Sequence, residues 1–273
     1  NKILLIGTLG GLCLYDYSKN KFFHIKSANN DIPSINEVGC LQFDKYNNLW
    51  IGTIHGLYLI EHQYYKNIKN QKPLVKYFRN EPNDKNSLSG NYIISMLLDS
   101  KGRMWFGTYG NGLNLLDNYK DLKSIKFIRY DESDGLSNNI IYGILEDDRG
   151  NLWLSTENGL TKFNTKNKTF KNYYKNDGLL SNHFYWSAAY KASDGKMYFG
   201  NMEGLNYFHP DSIIEKKITS DVVLTNLKIL STPVEVGKKY YGRIILKKNL
   251  SETKKIVLLY KIKEFTIEFS ALH

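Results

Sequence analysis

Cysteine and proline are scarce: two Cys (Cys13, Cys40) and five Pro in 273 residues. Two cysteines cannot build a disulfide framework, and they read as small buried residues. So little proline, with 42% hydrophobic residues, excludes a disordered or collagen-like chain. Arginine is rarer than the charge suggests. Of 37 basic residues 32 are Lys and 5 are Arg, against 27 acidic ones, for a net charge of +10. Duplex readers need arginine forks at base edges, so no direct nucleic-acid contact is expected, while attraction to an anionic ligand stays open. No apolar run approaches a membrane span, and helical periodicity is absent throughout. The N-terminal Asn1-Lys2-Ile3-Leu4-Leu5-Ile6 begins as a strand without a charged leader, which places any targeting segment outside the given sequence.

What is present is self-similarity. One short unit recurs five times, as Leu5-Ile6-Gly7-Thr8, Trp50-Ile51-Gly52-Thr53, Trp105-Phe106-Gly107-Thr108, Trp153-Leu154-Ser155-Thr156 and Tyr198-Phe199-Gly200-Asn201, each followed within five residues by a Gly-Leu pair. The spacings of 45, 55, 48 and 45 residues fit a repeat array of short strands. Within 139–174 four strand-like runs are separated by three hairpin turns, which is one propeller blade. The reading is therefore all-β: about five blades of a β-propeller over 1–215, complete at 36–78, 91–130 and 139–174 and part of a seven-bladed ring, followed by a truncated β-sandwich over 216–273. In the second domain strands are expected at Val222–Leu230, Ile244–Leu246, Ile256–Tyr260 and Phe265–Phe269, with Phe265, Ile267 and Phe269 on one face.

The recurrent residues read first as structural. Asp44, Asp99 and Asp147 precede a hairpin in equivalent places and suit turn duty rather than acid-base chemistry. Trp50, Trp105 and Trp153, with Tyr198 in register, suit the seams between blades. The six histidines show no metal spacing, and neither a nucleophile elbow nor a phosphate-binding glycine loop is found, so neither metal nor cofactor is expected.

The run Leu136-Ser137-Asn138-Asn139, then Asp147, then Gly150-Asn151-Leu152-Trp153-Leu154-Ser155-Thr156 and Gly159-Leu160 resembles the two-component regulator propeller repeat. Val222–Leu230 with Phe265–Leu272 is similar to the start of the three-tyrosine-motif sandwich domain that follows such propellers. The resemblance implies the periplasmic sensor region of a Bacteroides-type hybrid two-component protein of the inner membrane. Such a region detects oligosaccharides released from glycans and signals across the membrane to a histidine kinase for polysaccharide utilisation. The fragment itself is then non-catalytic and acts as part of a homodimer, together with the remaining propeller and sandwich segments. The other readings are a propeller hydrolase or lyase, which needs two carboxylates about 5 to 9 Å apart, and a protein-interaction scaffold.

Ligand contacts are expected on the face shared by the turns after each second strand and the loops between blades. The candidates are His55, Tyr109, Asn111, Glu157, Asn158, His183, Asn201 and Glu203, since amides match hydroxyls and aromatic faces match sugar C–H surfaces. The net charge favours an anionic oligosaccharide. Residues 209–221, interrupted by Pro210, read as the joint that transmits binding.

Overall fold

The computed structural model describes residues 3–28, 32–65, 72–117, 125–213 and 222–271. The chain divides into two units, Asn1–Ile213 and Ile214–His273. The first consists of five successive antiparallel meanders. Blade one has three strands, β1 (Ile3–Thr8), β2 (Gly11–Asp16) and β3 (Lys21–His24). Blade two has four, β4 (Val38–Phe43), β5 (Leu49–Thr53), β6 (Leu57–Ile60) and β7 (Lys76–Phe78). Blade three runs through β8 (Ile93–Leu98), β9 (Met104–Thr108), β10 (Leu113–Asp117) and β11 (Lys126–Tyr130). Blade four runs through β12 (Ile141–Glu146), β13 (Asn151–Thr156), β14 (Gly159–Asn164) and β15 (Thr169–Tyr173). Blade five holds three strands, β16 (Phe184–Lys191), β17 (Met197–Asn201) and β18 (Gly204–Phe208). This is the partial propeller read from the repeats.

The apolar clusters lie between blades. Trp50 and Leu57 of blade two pack with Ile93, Met104 and Phe106 of blade three. Trp105 and Leu113 meet Ile141, Ile144 and Leu154 of blade four, and Trp153 and Leu160 meet Phe184, Met197 and Phe199 of blade five. All three tryptophans are fully buried, and burial of each large side chain stabilises the seam by about 1.5–3 kcal/mol.

The aspartates do more than cap a turn. Asp147 Oδ1 accepts from the amides of Arg149 and Asn151, while Oδ2 accepts the Trp153 indole N–H at 3.0 Å. Asp44 and Trp50 repeat the bond at 2.9 Å, and Asp99 and Trp105 at 2.8 Å. Each carboxylate thus closes the hairpin and satisfies the one polar atom of a buried indole. Blade five has Ala192 and Tyr198 at these two places, so acceptor and indole are absent together.

Glycine in the second strand has a spatial reason. A Cβ on Gly107 would fall 2.8 Å from Ile141 of the next blade and clash with Ser95, and one on Gly52 would fall 2.9 Å from Ile93 and 2.6 Å from Cys40. Blade four exchanges the pair: Ser155 lies opposite Gly143, where blade three has Gly107 opposite Ser95. One small and one absent side chain fill the same gap either way round.

The start of each inner strand carries a bulge. Gly39, Ile94 and Tyr142 are each one residue in excess of the partner strand. In blade five the excess grows, because Phe184 to Ala189 spans the partner segment from Asn201 to Phe199, and Ser187 takes φ +55°. Such bulges re-aim side chains at the rim of a sheet.

In the second unit β19 (Val222–Ile229) lies between β20 (Thr232–Pro233) and β23 (Phe265–Ala271), and β21 (Lys239–Tyr240) pairs with β22 (Arg243–Ile244). Leu227, Ile229, Val234, Ile245, Leu246 and Leu250 form its core. Two expectations are corrected. Ile256–Tyr260 forms no strand, because Ile256 and Leu258 anchor to the core singly without a neighbouring strand edge. Ile244–Leu246 contributes only Ile244 to a two-residue strand. The face of Phe265, Ile267 and Phe269 does alternate, yet these residues are 49%, 39% and 69% exposed. Of the expected joint 209–221, residues 214–221 lie outside the described residues. Residues 209–213 belong to the propeller unit, where Asp211 pairs with Arg149 at 2.6 Å.

An aromatic cleft at the inner strands of blades three to five

Five aromatic side chains from three blades enclose a cavity of about 350 Å³: Tyr92, Tyr109, Tyr142, Tyr185 and Trp186. Local structure delivers each of them. Tyr92 immediately precedes β8, and its carbonyl accepts the amide of Tyr109 at 2.9 Å. Tyr109 sits in the β9–β10 turn, which is tied to the next blade because Gly110 and Gly112 both donate to the Asn139 carbonyl. Gly112 adopts φ +76°, which glycine reaches without steric cost. Tyr142 is the bulged residue of β12, and Tyr185 and Trp186 come from the long bulge of β16.

The rings meet each other as well as the cavity. Tyr92 lies 5.1 Å from Tyr109 and 5.6 Å, edge-on, from Trp186. Trp186 crosses to blade two, where its ring edge comes within 3.6 Å of a Cβ built on Gly39. Tyr109 and Tyr185 are 45% and 58% exposed, so the cleft is open to a ligand.

Glu157 supplies the polar edge. Its Oε2 accepts the Tyr142 hydroxyl at 2.5 Å, and His183 Nδ1 stands 2.9 Å from its carbonyl and 3.4 Å from Oε1. A carbonyl can only accept, so Nδ1 carries the proton. Burial, reinforced by the Glu157 carboxylate, pushes the Tyr142 phenol far above its ordinary range. Burial also raises Tyr92, with smaller contributions from Tyr109 and Glu37. Both phenols therefore remain neutral hydrogen-bond donors. Among the described residues no Lys or Arg lines the cleft, and no group of three or more metal-ligating side chains is assembled.

Of the residues singled out from the sequence, Tyr109 lines this cleft and Glu157 and His183 edge it. His55 pairs with Glu37 at 3.0 Å, and Glu37 is the carboxylate felt by Tyr92. Asn111, Asn158, Asn201 and Glu203 do not line it. Asn111 packs against Gly90, and Asn158 is exposed with its amide on Thr156 Oγ1. Asn201 accepts from the amide of Glu203, and Glu203 lies 3.6 Å from Lys175. Asn91, Asn139 and Asn182, at equivalent places before the inner strands of blades three to five, are loop caps, accepting the amides of Asn80, Glu132 and Lys175. Sequence reasoning missed Tyr92, Tyr142, Tyr185 and Trp186. The one available signal was the extra length of the blade-five inner strand.

Comparison with known proteins bears on the same repeats. The two-component regulator propeller family matches residues 32–55, 87–110 and 135–158. Histidine kinase P4 of Formosa agariphila is 29% identical over 275 residues, covering 99% of this chain and 19% of that protein. The chain thus spans about a fifth of the length of this curated relative. An extracellular domain assigned to a hybrid two-component system of B. thetaiotaomicron aligns with TM-score 0.62 at 18% identity, over 82% of this chain and 30% of that one. PorZ, a surface component of the type-IX secretion system of Porphyromonas gingivalis, aligns with TM-score 0.57 at 13% identity, over 96% and 42%. At these identities the structural likeness is one of fold. The chain carries two-component regulator propeller repeats, folded as a partial β-propeller like that of the extracellular domain of a Bacteroides hybrid two-component system.

Proposed function

We propose that this chain is a non-catalytic, ligand-sensing segment of the extracytoplasmic region of a hybrid two-component sensor, and that its ligand is a glycan-derived oligosaccharide held in the aromatic cleft. The regulator repeats and the likeness to a histidine kinase support the sensor reading, with the segment in the periplasm and the signal passed to a kinase across the membrane. The observation that carries the ligand reading is the convergence of Tyr92, Tyr109, Tyr142, Tyr185 and Trp186 from three separate blades on one open cavity. Aromatic faces stack on the C–H surfaces of sugar rings, and the Glu157 and His183 edge offers directed hydrogen bonds to hydroxyls. A hydrolase would need a second carboxylate beside Glu157, whereas the partners of Glu157 are a phenol and an imidazole. Calorimetry of the whole chain against a panel of oligosaccharides tests this reading. Binding that Trp186→Ala and Tyr109→Ala each weaken at least about tenfold supports it. Tight binding indifferent to both substitutions places the ligand elsewhere, and products released from polysaccharide would establish an enzyme.

A further inference from the structure

Resting on the reading that the aromatic cleft is a ligand site, we propose that the group it receives is a cation: an ammonium presented by an amino-bearing sugar or by a quaternary amine, in preference to a carboxylated or sulfated ligand.

The faces of aromatic rings carry negative quadrupole charge, and five aromatic side chains line one cavity of about 350 Å³. Two carboxylates act on these tyrosines. Glu157 accepts from Tyr142 at the cleft edge, and Glu37 acts on Tyr92. Their other partners are histidines: His183 beside Glu157 and His55 at 3.0 Å from Glu37. No lysine or arginine lines the cleft among the described residues. The net charge of +10 is carried disproportionately by another part of the chain. Residues 214–273 contain twelve Lys and Arg against six Asp and Glu, whereas the first 213 contain 25 against 21. The overall charge therefore says little about this cavity. An anion entering it would meet π faces and carboxylates with no fixed positive partner. An ammonium would meet the ring faces and could be bonded by Glu157 at the edge.

Trp186 is half-buried whereas the other three tryptophans are fully buried, so its emission reports on the cleft, with Trp186→Phe identifying its share of the signal. The whole chain is titrated at pH 6, where the amines of a glucosamine tetramer are protonated, with choline, with its uncharged isostere 3,3-dimethylbutan-1-ol, and with tetramers of glucosamine, N-acetylglucosamine and galacturonic acid. The expected result is saturable binding of choline or glucosamine tetramer, at least about tenfold tighter than the matching uncharged probe, with galacturonate weakest. Glu157→Gln, close in shape and still able to accept from Tyr142, should weaken the cationic probes about threefold to tenfold more than the uncharged ones. Glucosamine tetramer binding tighter than choline assigns the ammonium to a sugar, and the reverse order to a small quaternary amine. Equal binding of charged and uncharged probes, or preference for galacturonate, overturns the cation proposal while the cleft stands as the ligand site. If no probe alters Trp186 emission in a chain that remains folded, the cation proposal falls. If Trp186→Ala also leaves oligosaccharide affinity unchanged in calorimetry, the cleft reading falls with it.

Discussion

Blades four and five are built from the same repeat and serve different ends. In blade four Asp147 closes the hairpin and holds the Trp153 indole, and a single bulged residue, Tyr142, departs from regular pairing. In blade five Ala192 and Tyr198 replace that pair, Tyr198 is only partly buried, and the inner strand bulges by several residues to project Tyr185 and Trp186. Regularity builds the scaffold, and departure from it builds the cleft. The aspartate and the tryptophan act as one unit, so losing one removes the reason for the other.

The largest break in that comparison is removal of the buried indole. Trp153→Ala should cost about 3–5 kcal/mol in denaturant unfolding, because the seam cannot collapse around the void. Tyr198→Ala, at a partly exposed site, should cost under about 2 kcal/mol. Equal costs would mean that blade five is locked as tightly as blade four.

Next comes the acceptor. Asp147→Ala leaves the Trp153 indole N–H and two turn amides unpaired, and a loss of about 2–3 kcal/mol is expected. In a Trp153→Phe background the same substitution should cost at least about 0.5 kcal/mol less. Strict additivity of the two changes would separate the indole from the turn.

The glycine exchange gives a finer test. Gly107→Ala drives a Cβ against Ser95 and Ile141, for an expected loss of about 1–3 kcal/mol. The double change Ser95→Gly with Gly107→Ser reproduces the blade-four arrangement of Gly143 and Ser155, and it should recover at least half of that loss. No recovery would show that the exchange depends on more than the volume of the two side chains.

The smallest effect concerns Cys40, which packs against the seam between blades two and three. Burial pushes its thiol up to about 12, so the reactive thiolate is suppressed at pH 8. Cys40 is partly buried, and a thiol reagent should label it much more slowly in the native chain than after unfolding. Rapid labelling of the native chain would show that the seam opens. The same shift makes the contribution of Cys40 to stability full below its ordinary value of 9.0, and that contribution is lost as pH rises from there toward 12, since the unfolded thiol ionises first.

The recurrent Asp, Trp, Gly and Thr positions made the blades legible, because each hairpin draws its turn acceptor and its seam residue from within about ten residues of chain. Thr53, Thr108 and Thr156 each donate to the carbonyl of the turn glycine, so even the threonine of the motif is local. The cleft was only partly legible. Tyr109 and Glu157 could be placed because their turns recur in register, whereas Tyr142, Tyr185 and Trp186 owe their direction to bulges. One residue of extra pairing turns a side chain to the other face, and sequence alone does not fix where it is inserted. In the second unit the apolar run Ile256–Tyr260 suggested a strand, but a strand needs a partner edge, and the segment anchors to the core without one.

The sequence by itself determined the all-β class, the blade count of the given segment and the residues of the seams, because these follow from short-range periodicity. Tertiary structure alone decided which tyrosines face one another, that Trp186 reaches from blade five to blade two, and that Glu157 edges a cleft that no Lys or Arg lines among the described residues. The physical reason is that a cleft between blades is composed of residues from different blades 33 to 94 positions apart, brought together only when each blade packs on the next.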